Sequence, residues 1–237
     1  MISQKQIKEI KQIGLKIDHD VSFNGKSKGN NHLQRTVNLA SHIAKKVGAN
    51  LQVVVAAAWL HDTALPTGDD YNYKNNLQIV KDILKDITLS EDDRNAVAEC
   101  VASHEGTKIP ESLEAKVVHD ADVLEKVGIL GLIRHTWKMT NLKNIDSEKI
   151  ISDDLKKIIE HIEWRKNMLQ LEESKNIAKN LTIEIDNNII LKLIERSAQM
   201  ANKGVITEKI AVTLKDILNK NQLLILEKQL NQKYLTI

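Results

Sequence analysis

Apolar residues recur at helical spacing along most of the chain. In the first segment they are Ile2, Ile7, Ile10, Ile13 and Ile17, which share one face of an amphipathic helix. The 237 residues include only two prolines and nine glycines. Because so few residues break helices, the pattern predicts long helices and an all-α fold rather than a β fold with many turns.

The segment at 51–60 is apolar nearly all round, which suits a buried strand or a buried helix. Its length and the consecutive alanines Ala56, Ala57 and Ala58 favour a helix at the centre of the domain. Ser90 has the features of a helix N-cap. In the first 140 residues we therefore predict helices at 1–17, 32–47, 51–60, 77–87, 91–104 and 112–139, the last with kinks at its glycines.

The pattern changes after residue 141. Three amphipathic segments follow, near 147–171, 173–200 and 207–230, and none contains a cluster of His and Asp residues. We therefore divide the chain into a core at 1–140 that carries the chemistry and a helical extension at 141–237. The extension is expected to pack on the core or to form a homodimer, since amphipathic faces need a partner surface.

The composition of the chain argues against several classes of protein. Lys and Arg total 34 and Asp and Glu total 32, a net charge of +2. This balance gives no support for a nucleic-acid partner, which requires a clustered basic surface. A single cysteine cannot form an intrachain disulfide, no apolar run is long enough to cross a membrane, and the first residues lack the apolar core of a signal peptide. We expect a cytoplasmic protein without a membrane partner.

Candidate metal ligands stand near the ends of the predicted helices. His32 begins one helix, His61 and Asp62 end another, and His104 ends a third, while Asp122 lies within a fourth. A hydrolytic metal site needs several such ligands converging from different elements. For His61-Asp62 alone, a core histidine beside a helix-capping aspartate remains an alternative interpretation.

The order His32, His61-Asp62, Asp122 resembles the HD-domain metal-dependent phosphohydrolase superfamily. The resemblance covers roughly residues 18–140. The segments that carry it are His32-Leu-Gln-Arg35-Thr-Val, Val55-Ala-Ala-Ala-Trp-Leu-His-Asp62, Val101-Ala-Ser-His104-Glu-Gly and Val118-His-Asp-Ala-Asp-Val-Leu124. It implies an HD-domain helical bundle, here with a C-terminal helical extension.

The resemblance also implies a ligand set. One divalent ion (Mn, Fe, Co, Ni or Zn) is expected on His32, His61, Asp62 and Asp122, with Asp62 also orienting a water molecule. The family motif selects Asp122 rather than Asp120. Asp120 is then either a residue that orients a ligand or an exposed helix position.

His104 and Arg35 complete the predicted catalytic residues. His104 is expected to bind phosphate, relay a proton or ligate a second ion, and the alternative is a histidine that interacts with a helix C-terminus. Arg35 is expected to bind a phosphate oxygen, being three residues after His32 and so on the same helix face; the alternative is a surface ion pair. The implied function is hydrolysis of a phosphate ester of a nucleotide or another small phosphorylated molecule. A sensor or scaffold that binds nucleotide or metal with little turnover is the second hypothesis.

Overall fold

The segments with apolar residues at helical spacing form helices. The computed structural model describes residues 1–106, 108–146, 149–150 and 152–232, and these contain twelve α-helices and no β-strand, which confirms the predicted all-α class. The helices are α1 (Gln4–Lys16), α2 (His32–Val47), α3 (Leu51–Leu60), α4 (Tyr73–Leu84), α5 (Glu91–Ala102), α6 (Leu113–Leu124), α7 (Gly128–Asn141), α8 (Ser152–Asn167), α9 (Glu172–Leu181), α10 (Asn187–Asn202), α11 (Thr207–Thr213) and α12 (Lys220–Asn231). None of the helices in the described ranges is long and apolar enough to cross a membrane.

The chain folds into two compact units. Unit 1 consists of Met1–Asp122 and Gln170–Glu173, and unit 2 consists of Val123–Leu169 and the chain from Ser174 onward. The division between the units follows Asp122, whereas the sequence analysis placed a domain boundary at residue 140. The domain boundary at residue 140 therefore stays a prediction from the sequence.

Helix α3 is the centre of unit 1. It packs against α1, α2 and α5, and seven of its ten residues are buried, which agrees with the predicted central helix. Asn50 caps it by accepting hydrogen bonds from the backbone N–H groups of the next turn. Gly14 of α1 lies so close that an added Cβ would stand 2.1 Å from the Trp59 carbonyl oxygen. Glycine is therefore required where α1 crosses α3.

Helix α7 is the centre of unit 2, where it packs against α8, α10, α11 and α12. Gln229 of α12 fixes the beginning of α7 with two hydrogen bonds. Its Nε2 donates to the Val127 carbonyl oxygen at 2.7 Å, and its Oε1 accepts from the Leu130 N–H at 3.1 Å. The Leu130 N–H is one of the first N–H groups of α7, which have no partner within the helix, and the bond to the Val127 carbonyl holds the residue that precedes the helix.

Several predicted helices are divided in the structure. The kinked helix predicted at 112–139 is two helices, α6 and α7, because Val127 is extended and Gly128 has a φ of +72°. The segment predicted at 173–200 is α9 and α10, and Asp186 caps the second of these. The last predicted segment contains α11 and α12, with Asn219 as the cap of α12. In each case a local cap or turn overrides a continuous apolar pattern.

Candidate metal centre

Four predicted ligands come from three helices of unit 1. His32 is the first residue of α2, and His61 and Asp62 follow directly after α3. Asp122 lies in the last turn of α6. All four side chains are buried, with exposed fractions of 0–8%. Helix ends thus direct two imidazoles and two carboxylates into one buried cluster.

The ligand atoms of this cluster are close enough to share one ion. The Nε2 atoms of His32 and His61 are 3.0 Å apart. Asp62 Oδ2 lies 3.4 Å from the first of these nitrogens and 3.5 Å from the second. Asp122 Oδ1 lies 3.6 Å and 3.8 Å from the same two atoms. The structure therefore brings together all four residues that the sequence analysis assigned to the metal.

Hydrogen bonding on the far side of His61 fixes which nitrogen faces the cluster. Its Nδ1 lies 2.8 Å from the Ala58 carbonyl oxygen. Since a carbonyl oxygen only accepts, Nδ1 carries the proton, and in the neutral ring Nε2 has a free lone pair. An Nδ1–H bonded to a backbone carbonyl is the usual arrangement behind an imidazole that ligates a metal through Nε2.

The size of the cluster fits a divalent ion. Ligand atoms at about 2.1 Å from a tetrahedral ion are about 3.4 Å from each other, and the five separations above are 3.0–3.8 Å. Mixed imidazole and carboxylate donors suit Mn, Fe, Co, Ni and Zn. The residues therefore fit the group that the sequence predicted, and ligation itself stays a prediction.

His104 lies beside the four-residue cluster. The rings of His61 and His104 are 5.3 Å apart, and ligand atoms of His104, Glu105 and Asp122 lie within 4.8 Å of one another. His104 Nδ1 donates to the Val101 carbonyl oxygen at 2.6 Å, so its Nε2 is the nitrogen left for chemistry. The helix-terminus interaction therefore occupies only one side of this ring.

The surroundings keep the His104 ring neutral. Burial lowers the pKa of His104 to about 4, and the His61 ring adds to this effect. The nearby carboxylates, Glu105 first, act in the opposite direction but do not reverse it. A neutral ring with its proton on Nδ1 presents an acceptor at Nε2. This state suits accepting a hydrogen bond or ligating an ion, and not donating a hydrogen bond to phosphate.

Arg35 and Asp120 differ from some of the sequence-based interpretations. Arg35 follows His32 by one turn of α2 and is only 4% exposed, so it is not part of a surface ion pair. Asp120 is fully buried and not an exposed helix position. Its Oδ1 accepts from the Gln170 N–H and its Oδ2 from the Leu171 N–H, both at 2.9 Å. Asp120 therefore ties α6 to the chain just before α9.

Two further residues lie near the centre: Glu105, which the sequence suggested only as a neighbour able to orient His104, and His119, which received no role from the sequence. Glu105 joins His104 and Asp122 in the second group of ligand atoms. His119 Nδ1 donates to the His104 carbonyl oxygen at 2.9 Å. His119 is three residues before Asp122, and this spacing on one helix face is the signal that could have pointed to it.

A known protein family matches the part of the chain that contains this site. Residues 30–126 match the family model of the HD domain, a range that contains all four clustered ligands and His104. No curated protein sequence gave a match.

Solved structures share the fold. A Lactobacillus plantarum protein has a TM-score of 0.61 at 24% identity, covering 86% of this chain and 100% of its own. Bacillus subtilis YpgQ in complex with ADP has a TM-score of 0.56 at 20% identity, covering 74% and 89%. A predicted HD superfamily hydrolase from an uncultured Thermotogales bacterium has a TM-score of 0.50 at 20% identity, covering 80% and 89%.

The family model and the site coincide: the matched range begins just before His32 and ends just after Asp122. The similar structures add that the same helical fold occurs in proteins from Lactobacillus plantarum, Bacillus subtilis and a Thermotogales bacterium. Residues 30–126 of this chain are therefore similar to the HD domain family.

Proposed function

We propose that this protein is a metal-dependent phosphohydrolase that cleaves a phosphate ester of a nucleotide or of another small phosphorylated molecule. The observation that carries this proposal is the buried cluster of two imidazole Nε2 atoms and two carboxylates, with separations of 3.0–3.8 Å. A core with only a structural role would not be expected to contain such a cluster, because burying carboxylates without a counter-charge costs free energy.

His32, His61, Asp62 and Asp122 would hold one divalent ion. Such an ion lowers the pKa of a bound water and offsets negative charge on a phosphate oxygen. Asp62 is 8% exposed, the largest value among the four ligands. This makes Asp62 the ligand best suited to orient the attacking water as well.

His104 and Arg35 have different tasks in this proposal. His104 Nε2 would accept a hydrogen bond from the water and orient it; as the water oxygen bonds to phosphorus and the bond to the ester oxygen breaks, the water loses its proton to solvent and the leaving oxygen gains one from solvent. Arg35 offers a guanidinium to a phosphate oxygen, for which its planar set of donors is suited. The buried position of Arg35, one turn from His32, supports this role.

A nucleotide is the favoured substrate. The similar structure of YpgQ was determined with ADP, which shows that a protein of this fold accommodates a nucleotide. That likeness supports a nucleoside phosphate as the first class to test. Nucleic-acid substrates are disfavoured by the net charge of +2.

Reconstitution tests the proposal. Protein stripped with chelator is loaded with Mn²⁺, its metal content is measured, and phosphate release is followed with nucleoside mono-, di- and triphosphates. We expect about one ion per chain and turnover of at least one nucleotide. His61→Ala should remove both metal and activity. His42→Ala is the matched control, since His42 is on α2 with its Nε2 3.6 Å from a carboxylate oxygen of Glu173 and is not a cluster residue.

The outcomes separate the two hypotheses. An ion bound by the wild type without turnover of any nucleotide supports a metal- or nucleotide-binding sensor or scaffold. Occupancy below about a tenth of an ion per chain after reconstitution contradicts the metal-dependent hydrolase and the metal-binding sensor.

A further inference from the structure

His119 is a buried histidine to which the proposed hydrolysis gives no task. It lies on α6, three residues before Asp122, and is 1% exposed. Its Nδ1 is 2.9 Å from the carbonyl oxygen of His104. A carbonyl oxygen only accepts, so Nδ1 is the donor. The bond links α6, which carries a metal ligand, to the loop that carries His104.

The loop at His104 is held at two points. The His104 ring donates from Nδ1 to the Val101 carbonyl oxygen at 2.6 Å, which fixes the ring to α5. The main chain of the same residue is fixed by His119. One bond sets the tautomer and rotation of the ring, and the other sets where its main chain lies. Together they determine the position of Nε2.

The position of His104 Nε2 matters because this atom lies beside the metal cluster, 3.9 Å from Glu105 Oε2 in a ring whose centroid is 5.3 Å from that of His61. Ligand atoms of His104, Glu105 and Asp122 lie within 4.8 Å of one another. A displacement of about 1 Å at a reacting group is enough to lower a rate about 100-fold. Without His119 the buried His104 carbonyl would lose its donor, and the loop would have to shift or admit water to satisfy it.

We infer that His119 is a positioning residue, whose ring holds the main chain at His104 so that His104 Nε2 stays directed at the metal cluster. The inference rests on the proposed function for its kinetic consequence, but the geometry of His104 can be tested without any activity.

Three substitutions at position 119 distinguish positioning from general packing. Asn places its amide N–H close to where the His Nδ1–H stands, whereas Gln places it near the position of Nε2. His119→Asn should therefore keep the bond to the His104 carbonyl, and His119→Gln and His119→Ala should lose it. Gln and Asn are matched in polarity. Comparing these two variants therefore distinguishes positioning from general packing even if the alanine variant does not fold.

The kinetic test is a double-mutant cycle with His104→Ala, using the nucleotide that the Mn²⁺-loaded protein hydrolyses best. His119→Ala and His119→Gln should lower kcat about 10- to 100-fold, and His119→Asn should stay within about threefold of wild type. In the His104→Ala background the same substitutions should have an effect of less than about twofold, because the residue they act through is gone. Mn²⁺ affinity should be unchanged throughout.

The spectroscopic test uses metal-free protein labelled with ¹⁵N-histidine, with the His104 signals assigned by their loss in His104→Ala. Wild type and His119→Asn should show a single Nδ1–H tautomer of His104, and His119→Gln should show an average of both tautomers. Unchanged His104 signals in His119→Gln, or kinetic effects that simply multiply in the double mutant, would overturn the inference. Absence of any nucleotide turnover would contradict a nucleotide as the substrate of the proposed function and leave the spectroscopic result to decide the role of His119.

Discussion

His61 and His104 follow two different helices with the same hydrogen bond. Each ring donates from Nδ1 to the carbonyl oxygen three residues earlier, that of Ala58 in one case and that of Val101 in the other. The last carbonyls of a helix are available to groups outside the helix, so each bond holds the ring at the helix end and selects its tautomer. The helix end itself thus directs a histidine Nε2 towards the cluster.

At the same scale, the two aspartates of α6 have separate tasks. Asp122→Asn replaces a charged oxygen that lies 3.6 Å and 3.8 Å from the two ligand nitrogens. We expect it to lower Mn²⁺ affinity by at least about 100-fold, measured by titration calorimetry. The isosteric control Asp120→Asn should change that affinity by less than about tenfold.

Asp120→Asn should instead reduce stability. Its carboxylate accepts two main-chain N–H groups, and an amide offers only one oxygen to them. We expect the free energy of unfolding in denaturant to fall by about 1–3 kcal/mol. An emptied metal site in Asp120→Asn, together with a filled one in Asp122→Asn, would contradict the assignment of both residues.

Among the elements, α12 has the clearest structural role. Its Gln229 is 4% exposed and makes both hydrogen bonds that fix the beginning of α7. Because α7 packs against four other helices of unit 2, loosening its N-terminus affects the centre of that unit. The residues of the metal cluster, in contrast, all belong to unit 1.

Gln229→Leu tests whether Gln229 stabilises unit 2 without affecting the metal cluster of unit 1. The substitution keeps the size of the side chain but leaves the Val127 carbonyl and the Leu130 N–H without their partner, so the free energy of unfolding should fall by about 2–4 kcal/mol. Mn²⁺ affinity at low temperature should stay within about twofold of wild type. Gln12→Leu on the exposed face of α1 is the matched control, with an expected change within about 0.5 kcal/mol. Equal destabilisation by both substitutions would contradict the role of Gln229.

For the whole molecule, a buried histidine links stability to pH. His135 of α7 is 3% exposed, and its ring stacks on that of His161 with centroids 4.5 Å apart. Neither ring nitrogen of His135 has a hydrogen-bond partner among the described residues. Burial lowers the pKa of His135 well below 6.5, and His161 and neighbouring basic side chains add to this.

The sign of the pH effect follows from the direction of this shift. Below about pH 6.5 the unfolded chain binds a proton at His135 and the folded chain does not, so the free energy of unfolding falls as the pH falls. The loss from this residue is at most about 1.4 kcal/mol per pH unit. Urea unfolding of metal-free wild type and His135→Leu at pH 7 and pH 5.5 measures it. The variant should lose less stability on acidification, and the partly exposed His19→Leu control should behave as wild type does. An equal loss in His135→Leu and wild type would contradict the prediction.

The sequence by itself determined the fold class and most helix positions. Apolar spacing and scarce prolines act locally, within one or two turns, and local preferences are what a sequence displays directly. The same holds for the candidate ligands at His32, His61-Asp62 and Asp122, since their types and their places near helix ends are readable along the chain. Where Gly128 or Asp186 interrupts an apolar pattern, the sequence alone suggested longer helices than those that form.

Only the tertiary structure decided which polar groups meet. Asp120 and its partner Gln170 are 50 residues apart, and Gln229 and Val127 are 102 apart. His119 and His104 are 15 apart and join α6 to the loop after α5 through one main-chain carbonyl. Such contacts leave no periodic trace in the sequence, because a buried hydrogen bond depends on where two helices cross and not on the neighbours of either residue.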